Sequence, residues 1–358
     1  MVAPLQGAWL ATGDAPIIVR EFKEEIATAW DSFVLTQPTG TLFHQTPWMR
    51  ALQRSFGYQA VYLYAEREGQ ITGVLPLFRI SNWIVGDCLI STPFAVYGGV
   101  CAADDESAES LVRYAADKAV SANVDFLELR HRTAATRPGF HTKDLYFAFE
   151  AELSAGAEEI LKGLPRDTRY MIRKGEKAGL ELRFGLDQLS AFYELFCISM
   201  RRLGTPVFPR NWLQKLIQEL PGQVDLALVY HRGRAVSGVF SLVYRDVLLP
   251  YYAGASPEAN RVAANNFMYW ALMKNAIDRG LRYFDFGRSK KGTGAYEFKS
   301  AWKMQAVPLN YQVLLVKRKE VPNFSPVNPK FEMVTRLWQR MPLPLTTWLG
   351  PRVVRWFP

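Results

Sequence analysis

The sequence YWALMKNAIDRGLRYFDFGRSKKGTGAYEFKSAWK, residues 269–303, contains a helix, a short strand and a basic segment in succession. Apolar side chains recur at helical spacing in its first part, which predicts a helix that ends near Gly280. Aromatic residues then dominate residues 282–286, and this run predicts a short buried strand. A change from helix to strand over so short a distance is typical of an α/β protein.

Basic residues dominate the part that follows Gly287. They face a single acid, Glu297, and Gly292 and Gly294 interrupt the segment that they occupy. The basic residues are Arg288, Lys290, Lys291, Lys299 and Lys303. The pattern predicts a loop that carries the first three of them. Such a loop is a common way to bind an anionic group, and the alternative is a solvated surface loop without a ligand.

The first half of the chain contains the same succession of elements as the second half. Three segments recur in the same order, at offsets of 164, 165 and 157 residues. The paired positions are Trp48 and Trp212, Gly73 and Gly238, and Leu127 and Phe284. The repeat predicts tandem copies of one α/β fold. A doubly wound parallel sheet is not expected, because helices and strands alternate too little and no early GxGxxG motif occurs.

The composition is typical of a folded protein, and the net charge favours an anionic partner. It has 358 residues, of which 49% are hydrophobic and 22% charged, and its formal net charge is +9. This length suits two domains. The positive charge favours a nucleic acid, nucleotide, phospholipid or acyl carrier as partner. The three cysteines and four histidines lack the spacing of a disulfide framework or a zinc site, so no metal is expected.

A cytoplasmic location is predicted from the absence of export signals. Residues 1–16 lack the charged start and apolar core of a secretory signal. The sequence also contains no apolar run long enough to span a bilayer.

A second basic segment lies between the two copies, at residues 162–183. It holds seven basic residues against three acids. The spacing of Arg166, Arg169, Arg173 and Lys177 aligns four of them on one face of a predicted helix. Such a helix either binds an anionic substrate or is an ordinary solvated basic helix.

The motif RYMIRKGEKAGLELR at residues 169–183, followed by FDFGRSKKGTGAYEFKSAW at residues 284–302, resembles the FemAB family. The resemblance is strongest to its FemAB-like branch associated with exosortase and exopolysaccharide loci. It spans about residues 17–318 and implies an α/β fold with mixed sheets. Two tandem GNAT-like acyltransferase domains, related by internal duplication, are expected at residues 17–155 and 156–318, the second including the interdomain basic helix.

The resemblance also implies which residues carry the chemistry. Lys299 matches a lysine that family members place near the reacting carbonyl, so it is predicted to stabilise charge, with Tyr296 as a second catalytic residue. The alternative for Lys299 is an ordinary surface lysine just before a strand. The predicted substrate-binding residues are Arg169, Arg173, Lys174, Tyr97, Arg288, Ser289, Lys290, Phe298, Asn265 and Asn266. The arginines are favoured for phosphate contacts because guanidinium groups bind phosphate bidentately.

The segment STPFAVYGGV, residues 91–100, stands where family members carry a loop that lines the acceptor cleft. Tyr97 is predicted either to point into that cleft or to pack beside the Gly-Gly turn. Relatives that modify peptidoglycan place an acid soon after this loop. Here the first acids are Asp104 and Asp105, and this displacement argues against a peptidoglycan acceptor.

Residues 259–266 stand where a coenzyme A site would be expected, at the start of the helix after the central strands. The glycines of the usual motif are missing, which weakens the case for coenzyme A. Asn265 and Asn266 are predicted to cap this helix and to reach into the donor cleft.

Residues 319–358 are predicted to form a proline-rich linker, with Pro322, Pro326 and Pro329, and an amphipathic tail. Aromatic residues alternate with arginines from residue 330 to the end of the sequence. This pattern suits the surface of an anionic membrane, and packing of the tail on the protein's own body is the equal alternative.

Together these features predict an N-acyl or aminoacyl transferase that forms an amide on a cell-envelope or exopolysaccharide precursor. Direct attack by the amine is expected, because no Ser-His-Asp or Cys-His arrangement is evident. No tightly bound cofactor is expected, and the donor is an aminoacyl-tRNA, an acyl-carrier protein or an acyl-CoA. The acceptor is an amine-bearing glycan, lipid-linked molecule or amino acid. Alternatives are a carrier-protein-dependent N-acyl amino acid synthase and a non-catalytic scaffold at the inner face of the membrane.

Overall fold

The computed structural model describes residues 15–132, 136–322 and 329–358, with the side chains of 329–331 excepted. Within these ranges the chain forms seventeen strands and twelve α-helices. The helices are α1 (Ala27–Thr36), α2 (Thr46–Phe56), α3 (Asp105–Ser121), α4 (Gly156–Gly163), α5 (Arg166–Lys177), α6 (Leu189–Leu203), α7 (Arg210–Glu219), α8 (Pro257–Arg261), α9 (Ala264–Asp278), α10 (Gly294–Ser300), α11 (Pro329–Arg340) and α12 (Leu343–Val353). In the described ranges, no helix is both long and apolar enough to cross a bilayer.

The strands run in three sheets. They are β1 (Ile18–Glu21), β2 (Gln59–Ala60), β3 (Leu63–Arg67), β4 (Gln70–Leu75), β5 (Phe78–Asn82), β6 (Gly86–Ser91), β7 (Cys101–Ala102), β8 (Phe126–His131), β9 (Phe140–Lys143), β10 (Tyr146–Glu152), β11 (Glu181–Phe184), β12 (Val224–His231), β13 (Arg234–Tyr244), β14 (Val247–Ala255), β15 (Tyr283–Lys290), β16 (Gln305–Pro308) and β17 (Asn310–Leu315). The sheet orders are β1-β3-β4-β7, β2-β5-β6-β8-β17-β9 and β11-β12-β13-β14-β15-β10-β16.

Local sequence explains where several elements begin and end. The carboxylate of Asp104 accepts a hydrogen bond from the Ser107 backbone and so caps α3. Gly57, with φ of +68°, ends α2 in the left-handed conformation that glycine adopts at little cost. β4 and β5 follow one another with only Pro76 and Leu77 between them, yet they lie in different sheets. Proline has no backbone N–H to continue a ladder, which accounts for the break.

Two parallel strands of the second half pair only at their beginnings. β14 and β15 are in register at Val247 with Tyr283 and at Leu248 with Phe284, and the pairing ends there. On its other side, β15 pairs with β10 from Tyr283 to Lys290. The edge between β14 and β15 therefore opens from Asp285 onwards, where side chains from both halves of the chain meet.

The two halves exchange strands. β10 precedes the predicted domain boundary at residues 155 and 156, yet it lies between β15 and β16 in the seven-stranded sheet. β17 comes from near the end of the second half, yet it lies between β8 and β9 in a sheet of the first half. The division at residue 155 remains a prediction about the repeat, and sheet membership crosses it.

The two copies pack through the helix that the repeat identifies. Trp48 in α2 and Trp212 in α7 are both fully buried, and their rings meet edge to face with centroids 5.3 Å apart. Contact between residues at equivalent positions is expected where a two-fold axis passes between copies. The sequence repeat is therefore also a spatial pairing.

The tail helices lie against both halves. Trp338 of α11 is buried, and Gly350 of α12 lies so close to Val207 that a Cβ there would stand 2.8 Å from it. Near the end of the chain, the Tyr58 hydroxyl donates to the Arg355 carbonyl at 2.6 Å. Body packing, one of the two alternatives for the tail, is thus observed on one side of these helices. The predicted linker lies largely at residues 323–328, including Pro326, outside the described residues.

Candidate active site

β15 bends at Gly287 and then continues as a strand. Gly287 has φ of +67°, and its N–H donates to the Asp285 carboxylate at 2.7 Å. Arg288, Ser289 and Lys290 then pair with β10, so their predicted placement in a loop is wrong. The reason is physical: their partner strand lies more than a hundred residues earlier in the chain, and no local pattern shows it.

Lys299 lies on α10, not just before a strand, and its ammonium group binds the bend of β15. Its Nζ donates to the carbonyls of Phe286, Gly287 and Arg288 at 2.6, 3.2 and 3.2 Å, which uses all three of its protons. Burial lowers the pKa of Lys299 to about 8, and the nearby Asp285 carboxylate opposes this effect. The sequence motif therefore places a half-buried cation at the bend of β15.

Asp285 is a buried carboxyl group in contact with the first half of the chain. The Tyr97 hydroxyl donates to Asp285 Oδ2 at 2.8 Å and lies 3.2 Å from Glu150 Oε1. Burial, reinforced by the charge of Glu150, raises the pKa of Asp285 to about 6. One hydroxyl proton serves two carboxylates here, so the group is poised to hold an additional proton.

The proton-binding group formed by Tyr97, Asp285 and Glu150 opens to solvent through Glu150. The side chain of Glu150 is 22% exposed and forms an ion pair with Arg132. The Arg132 guanidinium lies over the Tyr97 ring, 5.1 Å from its centroid. A path of polar atoms therefore leads from the buried Asp285 to the surface.

Sequence reasoning missed Asp285, Glu150 and Arg132 as site residues. For Asp285 a signal existed, because an acid between two phenylalanines in a buried strand must find a partner. Glu150 is flanked in a similar way in YFAFEAE of β10. Arg132 lies at the end of a strand, and no sequence pattern around it indicated a functional residue.

The loop at residues 91–100 is fixed in place by hydrogen bonds to its carbonyls. The donor side chains come from both halves of the chain, and the carbonyls of four residues between 92 and 96 accept their hydrogen bonds. The pairs are Arg130 with Thr92 and Ala95, Tyr251 with Phe94, and Tyr311 with Val96. Tyr97 thus points between the halves, in contact with Asp285, and the Gly98-Gly99 turn lies next to it. Through Tyr97, this loop of the first copy contacts the open edge of β15.

The residues after the bend form a partly buried polar strip. The Arg288 guanidinium stacks over Tyr146, 4.8 Å from the ring centroid, and donates to the Tyr311 hydroxyl at 3.0 Å. The Ser289 hydroxyl is buried and has no hydrogen-bond partner among the described atoms. Lys290 is half-buried, with no carboxylate within 4.0 Å in the described part of the chain.

The two aromatic residues predicted beside Lys299 pack into the core of the second half. The ring of Tyr296 lies edge-on to Phe147 and Phe149, with centroids 5.7 and 5.1 Å away. The Phe298 ring lies 5.6 Å from that of Tyr269. These contacts anchor α10 and so hold Lys299 in place. The catalytic role of Tyr296 and the substrate contact of Phe298 stay predictions.

The predicted basic helix exists as α5 and packs against α9. Gly175 permits the approach, since a Cβ there would lie 2.7 Å from Phe267 Cβ. Arg169 donates to the Lys162 carbonyl at 2.9 Å. Arg173 and Lys174 are exposed, and no described carboxylate lies within 4.0 Å of either cation. These two charges are therefore open to an anionic ligand.

The start of α9 differs from its prediction. Ala263, with φ of +56°, occupies the cap position, and no side chain caps the helix, so the predicted capping by Asn265 and Asn266 is wrong. A tight turn after α8 places both asparagines within the first turn of α9. Asn265 accepts a hydrogen bond from the Ser237 hydroxyl at 2.6 Å, and Asn266 is half-buried. Their contact with a donor stays a prediction.

The comparisons with known proteins agree on a fold. Residues 164–300 match the family described as "Acetyltransferase (GNAT) domain". The crystal structure of FemX superposes with a TM-score of 0.66 at 14% identity, over 89% of this chain and all of that one. No curated protein sequence matches the chain significantly.

Two further solved structures resemble the chain. One is the C-terminal domain (DUF2156) of an Agrobacterium fabrum protein named as a lysylphosphatidylglycerol synthetase, with a TM-score of 0.57, 13% identity and coverage of 81% of this chain and 92% of that one. The other is a tandem GNAT protein from the clavulanic acid biosynthesis pathway, with a TM-score of 0.54, 10% identity and coverage of 85% and 100%. The predicted FemAB-like tandem-GNAT fold is confirmed, as is the prediction of an acyltransferase. The link to exosortase loci stays a prediction.

Proposed function

We propose that this chain, an acyltransferase with the tandem-GNAT fold of FemX, moves an acyl or aminoacyl group from an activated carrier to an amine of a cell-envelope or exopolysaccharide precursor. The observation that carries the proposal is the pairing of a buried carboxyl group with a half-buried lysine at one bend. Asp285 and Lys299 both bind the backbone around Gly287, where β15 separates from β14. Amide formation needs both groups, one for a proton and one for negative charge.

The proton-binding group takes the proton that the attacking amine releases. The amine nitrogen forms a bond to the acyl carbon, and one amine proton passes to the Tyr97–Asp285–Glu150 group. The bond from that carbon to the carrier then breaks, and the proton returns to the departing oxygen or sulfur, so the carrier leaves as a free hydroxyl or thiol. Glu150 is the solvent-facing member of the proton-binding group. A pKa of about 6 leaves Asp285 mostly ionised at neutral pH yet able to accept a proton.

Lys299 supplies positive charge to the tetrahedral intermediate. Its contacts with the carbonyls of Gly287 and Arg288, at 3.2 Å each, are longer than the one with Phe286. One of the two longer contacts can therefore be exchanged for a hydrogen bond to the oxyanion at a modest cost. Arg288 and Lys290 lie along the same strand and offer further positive charge to a phosphate or a carboxylate.

The donor is an anionic carrier that binds to α5. The exposed Arg173 and Lys174 suit the phosphates of an aminoacyl-tRNA, of the phosphopantetheine on a carrier protein, or of an acyl-CoA. The acceptor is an amine-bearing glycan, lipid-linked molecule or amino acid. In this proposal the reaction takes place in the cytoplasm, at the inner face of the membrane. The name of the Agrobacterium neighbour refers to lysine on a phospholipid, which supports an aminoacyl donor and a lipid-linked acceptor, although phosphatidylglycerol offers a hydroxyl where this proposal has an amine.

The test is a transfer assay with each of the three donor classes and a set of amines, read out by mass spectrometry of the products. Wild type is compared with Asp285→Asn and Lys299→Met, and Lys215→Met serves as a control on the exposed side of α7. We expect one donor class to be consumed, with losses of at least about a hundredfold in the two site variants. Equal turnover in all four proteins would remove the proposed site. No turnover of any donor would instead favour a non-catalytic scaffold.

A further inference from the structure

The two tail helices bury one side and expose apolar side chains on the other. They pack against α6, and Trp338, Thr346 and Gly350 are buried, Gly350 next to Val207. Large apolar side chains with exposed fractions between 43% and 80% lie elsewhere on the same helices. They are Met333, Val334 and Leu337 on α11 and Leu345 and Trp348 on α12. Packing on the body therefore accounts for only part of the apolar pattern of the tail.

The exposed apolar residues fall on one face of each helix. On α11 they occupy positions 333, 334 and 337, and on α12 positions 345 and 348, which are the spacings of helical neighbours. Leu203, 59% exposed, lies at the end of α6, next to Gly204, which contacts α11. We call these six residues the tail face.

The first half of the chain adds an aromatic side chain beside the end of the tail. Trp83, in the turn between β5 and β6, is 79% exposed. Its ring stands edge-on to that of Trp356, with centroids 5.6 Å apart, and Asn82 donates to the Trp356 carbonyl at 3.5 Å. An exposed tryptophan is thus held beside the tail by defined contacts.

Arginines accompany the apolar residues. The Arg352 guanidinium stacks on Trp348, 4.2 Å from the ring centroid. Arg340 is exposed, and no carboxylate in the described ranges lies within 4.0 Å of it. The one acidic side chain described on these helices, Glu332, pairs with Arg336. Tryptophan and arginine together suit the boundary between lipid headgroups and acyl chains, because each combines an apolar body with a polar end.

We propose that the tail face, together with Trp83, docks this protein on an anionic lipid bilayer. A second copy of the chain is the less suitable occupant. In a symmetric dimer the same arginines would meet one another, without acids to neutralise them. A bilayer rich in phosphatidylglycerol offers apolar depth to Trp348 and Met333 and negative charge to Arg340 and Arg352. The amphipathic tail then lies in the interface plane and does not cross the membrane.

The test is co-sedimentation of the full chain with vesicles of phosphatidylglycerol and phosphatidylcholine, and with vesicles of phosphatidylcholine alone. Wild type is expected to pellet with the anionic vesicles only. The double variant Met333→Ser, Trp348→Ser should bind at least about tenfold more weakly, and Arg340→Gln about fivefold more weakly. The control is Val120→Ser, an equally exposed apolar position on α3, and it should bind as wild type does.

Three further measurements make the result decisive. Thermal melting of each variant should match wild type, because the changed side chains are exposed, and transfer to a water-soluble amine should be retained. Binding that is unchanged in the double variant, or equal on both vesicle types, would overturn the proposal. So would light scattering that shows a wild-type dimer lost in the double variant, since the face would then be an interface between copies. None of these outcomes touches the proposed chemistry.

Discussion

Replacing Asp285 by Asn should lower activity while changing the way that stability depends on pH. The structure gives the size of the effect. Burial and the charge of Glu150 raise the pKa of Asp285 from 3.8 to about 6. A raised pKa means that the folded state binds the proton more tightly than the unfolded chain does. This group therefore contributes stability below about pH 4, and the contribution is lost as the pH rises through about 6.

The whole contribution amounts to roughly 3 kcal/mol, of which about 1.4 kcal/mol lies between pH 5 and pH 8. The asparagine side chain of the variant keeps the acceptor for the Gly287 N–H and carries no charge at any pH. We therefore expect the stability advantage of the variant over wild type to grow by about 1.4 kcal/mol from about pH 5 to about pH 8. Groups common to both proteins, such as the buried His44 and His131, cancel in this comparison.

Urea unfolding followed by tryptophan fluorescence at the two pH values measures this difference. The control is Val120→Ser, an exposed position on α3 that carries no titrating group, which should show no such growth. In wild type, kcat/KM should also fall on the acid side with an apparent pKa near 6, as Asp285 takes up its proton. Parallel pH profiles of stability for wild type and Asp285→Asn would refute the reasoning, because Asp285 would then not titrate in this range.

Three other variants test further features of the site. Lys299→Met should lower the melting temperature as well as the transfer rate, because three backbone carbonyls lose their hydrogen-bond donor. Calorimetry measures the melting temperature, and an unchanged value would contradict this prediction. Gly287→Ala should lower the free energy of unfolding by about 1 to 2 kcal/mol, because an alanine is strained at a φ of +67°. Steric overlap adds nothing, since the nearest atom to the new methyl group would be in Val96 at 3.7 Å. Urea titration measures the change, and a stability equal to wild type would show that residue 287 is not strained. The double variant Arg173→Gln, Lys174→Gln should raise KM for the donor about tenfold and weaken its dependence on salt, while kcat changes little; a loss confined to kcat would move these residues away from donor binding.

The repeat was the part of the fold that the sequence revealed most fully. Trp48 and Trp212 occupy matching places in the sequence, and in the structure their rings touch. Spacing in the chain also predicted a basic helix through residues 166–177, which is α5, and a helix that ends near Gly280, which is α9. These elements extend over several turns, so their sequence carries the information about the face that they bury.

The candidate site was only half visible, because it is built from contacts distant in the chain. Lys299 belongs to a compact motif and was found. Its neighbour Asp285 gains its character from Tyr97 and Glu150, which lie well over a hundred residues away. The pKa of a carboxyl group depends on burial and on the charges around it, and a single sequence shows neither. The strand positions of Arg288 and Lys290 were missed for the same reason, since they depend on β10.

The exchange of β10 and β17 limits how this protein can be cut or recombined. A fragment that ends at residue 155 would leave β15 without its neighbour and would carry β10 as an unpaired edge. A fragment that begins there would take β17 away from β8 and β9. Neither copy is thus a module that can be grafted onto another protein, although the sequence presents them as two. A hybrid of two related transferases would need junctions that move each crossing strand together with the sheet that receives it.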